Sequence, residues 1–275
     1  MPEETKTNIV DLLDMKRFGD VKRELSELNS VDIAELLNDV SHENTIRLFR
    51  LLDKDVAADV FAYMDTDSQQ QLIEAMTDKE IRDVLNDMFL DDTVDLLGEM
   101  PASIVSRLLR ICPADMRGPI NQYLNYPDGS AGSIMTIEFV DLKADMTVSA
   151  AFDKIRETAI DKETIYTCYV TDTQRILKGV VSVHQLLLAP LDKKISELMD
   201  THEIFAYTHD SREDVALNFS KYGLIAMPVV DTENRLVGIV TVDDAMDVLE
   251  EETTEDIEKT YTLAFAAHGI RNIYG

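Results

Sequence analysis

The sequence predicts an α + α/β fold: a superhelical stack of short helices, then two tandem copies of one α/β module, with no transmembrane segment. Three observations carry this. Apolar residues recur at every twelfth position through the first half. A pattern of strands and helices in the second half returns in the same order. The longest apolar stretch, Leu186 to Leu191, is short and holds Pro190, far from the roughly 20 residues that a bilayer-spanning helix needs. The chain by itself is therefore not expected to form a pore.

The twelve-residue series runs Val40, Leu52, Met64, Met76, Met88, Met100, Cys112. Eight positions on, the units carry Leu48, Val60, Leu72, Val84, Leu96 and Leu108, followed by Phe49, Phe61, Ile73, Leu85, Leu97 and Leu109. Twelve is not a whole number of 3.6-residue turns, so one unbroken helix would spread these positions around its axis. A break in each unit restores a common face. Ser41, Asp53, Asp65 and Thr77 follow the apolar position directly and are residues that cap helix N-termini. Pro101 and Pro113 stand at the same place in the last units, where a missing N–H costs nothing. Residues 20–125 read as a small solenoid with its methionines in the core; the alternative is a methionine-lined groove.

From Ser133 the period changes. SIMTIEFVDLKADMTVSAAFDKI returns as ELMDTHEIFAYTHDSREDVALNF, and CYVTDTQRILKGVVSVHQLL returns as MPVVDTENRLVGIVTVDDAMDVL. Met135 pairs with Met199, Asp172 with Asp231 and Gly179 with Gly238. Each copy ends in two β-branched runs joined by a polar turn, a hairpin signal. The last run enters a helix through Thr241-Val242-Asp243-Asp244, whose hydroxyl and carboxylates suit a cap.

Composition narrows the function. The chain has 275 residues, room for about two domains. With 53 acidic against 26 basic residues its net charge is −27, which repels nucleic acid and anionic membrane surfaces and favours cations. An acidic face kept for solubility is the alternative. The two cysteines, Cys112 and Cys168, make no disulfide framework and fit a reducing compartment. The N-terminal segment has no apolar core of the kind a secretory signal needs. His42, His184, His202, His209 and His268 show no ligand spacing, and Gly129 and Gly132 read as a turn, not a phosphate cradle. No nucleophile–base pair stands out, so no enzyme is expected.

Two acidic surfaces are visible. Asp91, Asp95 and Glu99 lie at i, i+4 and i+8, on one face of a continuous helix. Asp243, Asp244, Asp247, Glu250 and Glu251 follow the last strand, and Glu255, Asp256 and Glu258 continue the run. Two carboxylates about 4 Å apart repel by about 4 kcal/mol at an effective dielectric constant of 20. Such surfaces dock only with cations between them. Magnesium takes oxygen ligands and keeps several waters, so one or two carboxylates from each side suffice.

The tandem copy, with RLVGIVTVDDAMDVL in the second, resembles the cystathionine-β-synthase (CBS) domain pair. The whole order, an acidic helical stack, YPDGSAGSIMT, a CBS pair and EEETTEDIEK, resembles the cytosolic region of MgtE magnesium channels from about Ile9 to Lys259. Thr260 to Gly275 does not resemble the family's continuation. The resemblance implies an acidic helical N domain at 1–128, CBS domains at 129–196 and 197–250, and the start of a connecting plug helix, then the unmatched tail, at 251–275. It implies a regulator on the cytoplasmic side of the cell membrane, a homodimer through the CBS domains, working with a membrane channel domain absent from this chain. Magnesium would bridge the helical domain, the CBS pair and the plug and hold the pore shut. The implied magnesium ligands are Asp59, Asp91, Asp95, Glu213, Asp244, Asp247, Glu255 and Asp256, with a backbone carbonyl from Gly132-Ser133. For any one carboxylate a solvated face is the alternative. Gly223 stands where the family often has an Asp ligand. CBS pairs also bind adenine nucleotides such as ATP. The Ser/Thr-x-x-Asp pattern that holds ribose is present as Thr241 to Asp244, but the first copy reads Ser182-Val183-His184-Gln185.

Overall fold

A computed structural model describes residues 3–113 and 116–254. They fall into two compact units, Met1–Gln122 and Tyr123–Gly275. No helix among the described residues is long and apolar enough to cross a membrane.

The first unit is helical: α1 (Glu3–Asp14), α2 (Phe18–Ser26), α3 (Ser30–Asp39), α4 (His42–Phe49), α5 (Lys54–Ala62), α6 (Thr66–Ala75), α7 (Asp78–Asp87), α8 (Leu90–Glu99), α9 (Ala102–Ile111) and α10 (Arg117–Tyr123), which ends at the boundary. The twelve-residue period is one helix. Helices two apart pack together, α3 on α5, α5 on α7, α7 on α9 and α4 on α6, so sequence neighbours alternate between rows. The expected core registers are buried at Leu48, Val60, Leu72, Val84, Leu96 and Leu108, with Phe49, Phe61, Ile73, Leu85 and Leu97, while Leu109 in the last unit is half-buried. Met64, Met76, Met88, Met100 and Cys112 are buried too, as core and not as a groove, while Val40 and Leu52 at the start of the series are half-buried. Met76, Met88 and Met100 each take an extended conformation just after a helix. The buried residue is thus also the hinge of the break, which is why one apolar side chain recurs there.

The caps follow the same register with two departures. Asp65 accepts from Ser68 N–H and Thr77 forms a reciprocal box with Glu80. Ser41 and Asp53 occupy N-cap positions without the expected side-chain bond; Asp53 pairs with Lys22 instead, at 2.5 Å. Asn29, one period before Ser41, caps α3 through Asp32 N–H at 2.9 Å, so the array starts earlier than Val40. The α2 helix keeps the register, with its N-cap at Arg17 and buried Val21 and Leu25 one period before Asn29, Ile33 and Leu37; α1 alone precedes the array out of register, as end-capping elements of solenoids do. Helix C-termini are closed by arginines. Arg107 donates to the carbonyls of Ile73 at 2.7 Å and Met76 at 2.8 Å and to Asp78 at 2.9 Å, placing a cation where the α6 dipole is negative.

The second unit repeats β-α-β-β-α. The first copy has β1 (Val140–Leu142), α11 (Val148–Thr158), β2 (Thr167–Thr171), β3 (Leu177–Ser182) and α12 (Val183–Leu188). The second has β4 (Ala206–Tyr207), α13 (Arg212–Tyr222), β5 (Ala226–Val230), β6 (Leu236–Thr241) and a final helix, α14, over 242–254. Each sheet has a parallel first pair and an antiparallel second pair. One face of β1–β3 packs Val140, Leu142, Cys168, Val170 and Val181 against α11 and α12. The other face presents Tyr169 and Val180 to Ala226, Leu236 and Ile239 of the second copy.

The copies are also sewn together by backbone. Thr136 exchanges two bonds with Ile239 of β6, and Asp200 exchanges two with Val180 of β3. Leu177 N–H donates to Asn234 and Leu236 N–H to Arg175. Each copy's leading segment therefore completes the other copy's sheet. Gly179 and Gly238 lie at these crossings. A Cβ on Gly238 would meet Met135 Sδ at 2.7 Å and the Thr136 carbonyl at 2.8 Å, and one on Gly179 would strike the Asp200 carbonyl. The repeated glycine is there for close backbone approach. Both cysteines are buried, Cys112 in the first unit and Cys168 in the second.

Candidate functional site

The expected carboxylates divide between the units. In the helical unit Asp59 is exposed on α5, Asp91 lies in the first turn of α8, and Asp95 is exposed one turn on. The α8 helix is continuous through Glu99, so the i, i+4, i+8 face exists. Glu99 accepts a bond from the Thr66 hydroxyl at the start of α6.

In the second unit Glu213 is exposed in the first turn of α13, and Asp244 and Asp247 lie on α14. The Thr241 hydroxyl donates to Asp244 Oδ2 at 2.6 Å where that helix begins. Asp247 is largely exposed. Partial desolvation, then the charges of Asp243, Glu250 and Glu251, still push its carboxyl above the usual range, as like charges on one helix face do. Ser133 ends a 3-10 turn, Ala131–Ser133, and its hydroxyl donates to the Ser130 carbonyl at 2.8 Å. Gly223, at the missing-ligand position, takes φ +64 as the left-handed C-cap of α13, a place that favours Gly over Asp. Glu255 and Asp256 lie outside the described residues.

Among the described residues no group of three or more His, Cys, Asp or Glu side chains is arranged to hold a metal ion. The donors are hard oxygens, which suits magnesium.

Two clefts flank the crossing of the CBS copies, and they are pseudo-equivalent. One, of about 260 Å3, is lined by Ile137, Phe139, Asp141, Lys162, Thr171, Arg175 and Leu236. The other, of about 300 Å3, is lined by Thr201, Glu203, Phe205, Val230, Asn234 and residues 176–179. Their electrostatics differ. In the first, burial is outweighed by Lys154 and then Lys143, at 2.7 and 3.2 Å, which hold the Asp141 carboxyl below the usual range. Its negative charge is already matched, leaving Lys162 and Arg175 as surplus cations. In the second, burial and then Asp200 push the Glu203 carboxyl up. Thr241 and Asp244 line neither cleft. Sequence reading missed the cationic cleft, because Lys162 and Arg175 are far apart in the chain and in no shared motif.

The first copy's Gln185 has a plain structural task. Its side-chain carbonyl accepts from Ser182 N–H at 2.8 Å while Ser182 Oγ accepts from Gln185 N–H at 3.1 Å. Gln there keeps the α12 cap without a carboxylate.

Comparison with known proteins places this geometry. Residues 28–129 match the MgtE intracellular N domain, and residues 131–192 and 195–251 each match the CBS domain. A crystal structure of the soluble part of a magnesium transporter superimposes with a TM-score of 0.85 at 30% identity, covering 91% of this chain and 98% of that one. The chain belongs to the MgtE family. The magnesium transporter MgtE of Thermus thermophilus is 34% identical over 257 residues, which is 91% of this chain and 57% of that protein. MgtE of Bacillus subtilis is 32% identical, over 97% of this chain and 58% of that protein. The chain thus spans a little over half the length of these MgtE relatives. A crystal structure of the cytosolic domain of the Mg2+ channel MgtE in complex with ATP superimposes with a TM-score of 0.80 at 32% identity, covering 87% of this chain and 99% of that one.

Proposed function

We propose that this chain is the magnesium-sensing regulatory region of a magnesium channel, acting from the cytoplasmic side on a membrane-embedded pore, and that it is not an enzyme. Magnesium bridges carboxylates of the helical unit, Asp59, Asp91 and Asp95, to Glu213, Asp244 and Asp247 of the CBS unit, with Glu255, Asp256 and the Gly132-Ser133 carbonyl completing the set. The bridged state is compact and favours a closed pore. The observation that supports this is the division of donors: each unit carries exposed carboxylates, Asp59 and Asp95 in the first and Glu213 and Asp247 in the second. Ions shared between units would make the number bound depend on docking, which couples magnesium to conformation. The crowding around Asp247 supplies the repulsion that parts the units at low magnesium.

Small-angle scattering over micromolar to tens of millimolar magnesium tests it. The radius of gyration falls with magnesium, and Asp91→Asn, Asp95→Asn and Asp247→Asn each move the midpoint upward by about twofold or more, since about half a kcal/mol or more of differential binding is at stake. Three variants that titrate as the parent does would leave these carboxylates a solvated face.

We further propose a homodimer through the CBS unit. Leu187, Leu188 and Leu191 around α12, and Met246 on α14, are more than half exposed, apolar surface that a two-fold contact would cover. A second reading adds ATP, favoured by the surplus cations Lys162 and Arg175 in the first-copy cleft. Calorimetry with magnesium alone and ATP alone separates the two ligands, and Thr241→Ala against Lys162→Ala decides which residues hold the nucleotide.

A further inference from the structure

The α14 helix is densely acidic, and 242–254 contains no Lys or Arg. A cation reaches it from another element. Arg212, in the first turn of α13, places Nη2 2.9 Å from Glu251 Oε2 and 3.9 Å from Glu252 Oε1. Its side chain is only 26% exposed, and its guanidinium faces the carboxylates. The same residue's backbone N–H donates to the Gly129 carbonyl at 2.9 Å. Beside that bond, Ala131 N–H donates to the Asp210 carbonyl at 2.7 Å and Gly132 N–H to Thr208 at 2.9 Å. Gly132 has no room for a side chain, because a Cβ would meet the Tyr126 ring at 2.7 Å.

We propose that Arg212 is a resident tether that couples the segment entering the CBS pair, 129–133, to the helix leaving it. Its side chain draws the far end of α14 onto the start of α13, and its main chain fixes 129–133 to the same turn. The two segments then loosen and tighten together. Guanidinium occupies Glu251 and Glu252 without any metal, so a divalent ion drawn to this acidic helix meets a cation already in place. This last consequence rests on the magnesium reading; the tether does not.

Amide hydrogen exchange on the intact chain tests it, first in metal-free buffer. Arg212→Gln keeps the backbone bond to Gly129 and removes the cation. Exchange in 248–254 should quicken about two- to fivefold, the range open to a partly exposed ion pair. The amides of Ala131 and Gly132 should quicken with it, while β5 and β6 stay unchanged. Arg212→Lys should restore most of the protection. Unchanged exchange in 248–254 overturns the proposal. So does loosening of α14 with 131–132 unaffected, which would reduce Arg212 to a local ion pair. Magnesium is then added to parent and variant. If the tether competes with it, protection of 248–254 in Arg212→Gln saturates at lower magnesium. No magnesium response in either protein would sink the magnesium reading and leave the metal-free result standing.

Discussion

The helical unit and the CBS unit are both built from repeats, and they close them in opposite ways. In the helical unit α3, α4, α5 and α7 each pack on the helix two places on, so a repeat is added or lost at an end with only its neighbours affected. In the CBS unit each copy lends its leading segment to the other's sheet, so neither copy is complete alone. The difference sets how far damage should spread: locally in the array, across both copies in the pair.

The sharpest test is Gly179→Val. Its side chain would strike the Asp200 carbonyl in the other copy, and relief requires parting the crossing. A loss of about 3 kcal/mol or more is expected, with faster hydrogen exchange in β4–β6 as well as β1–β3. Damage confined to the first copy would break the comparison. Leu72→Ala should come next. Leu72 is fully buried in α6, and such truncations cost about 2–5 kcal/mol. Here exchange should quicken in α4, α6 and adjacent helices while the CBS unit keeps its protection.

The smallest effect belongs to the Thr77 box. Thr77→Ala should cost about 1 kcal/mol, felt at the α6–α7 break. Its pH dependence has a definite sign. The backbone bond from Thr77, with help from Thr77 Oγ and Arg50, holds the Glu80 carboxyl below its usual value. A carboxyl depressed by folding stabilises the fold above its unfolded value, and the benefit fades as pH falls through the folded one. Thr77→Ala keeps the backbone bond and removes only the Oγ share of this, so the gap between parent and variant should narrow, by a small part of its size, as pH falls through the carboxylate range. A gap that stays constant would show that the hydroxyl alone, without the carboxylate, makes the cap.

The sequence carried much of this, and the reasons for its successes and misses are physical. The twelve-residue register was legible because the same residue is both hinge and core, as Met76 and Met88 show. The caps were half legible. A side chain of the right type at the right place caps only when nothing competes for it, and Lys22 competes for Asp53. The tandem copy was plain from Gly179 and Gly238, but the exchange of leading segments was not, since pairing between copies leaves no local period. The α8 and α14 carboxylates were legible as charge patterns. Arg212 was not, because an isolated basic residue acquires meaning only from the helix that folds back onto it.

The placement of the two thiols has a practical consequence. Cys112 and Cys168 are buried, one in each unit, and desolvation pushes the Cys168 thiol up to about 12, so little thiolate is present near neutral pH. Alkylation must wait for the surrounding structure to open. With two reporters under separate cover, the order in which a mass spectrometer sees them labelled reads out which half of the chain breathes first, with no engineered probe.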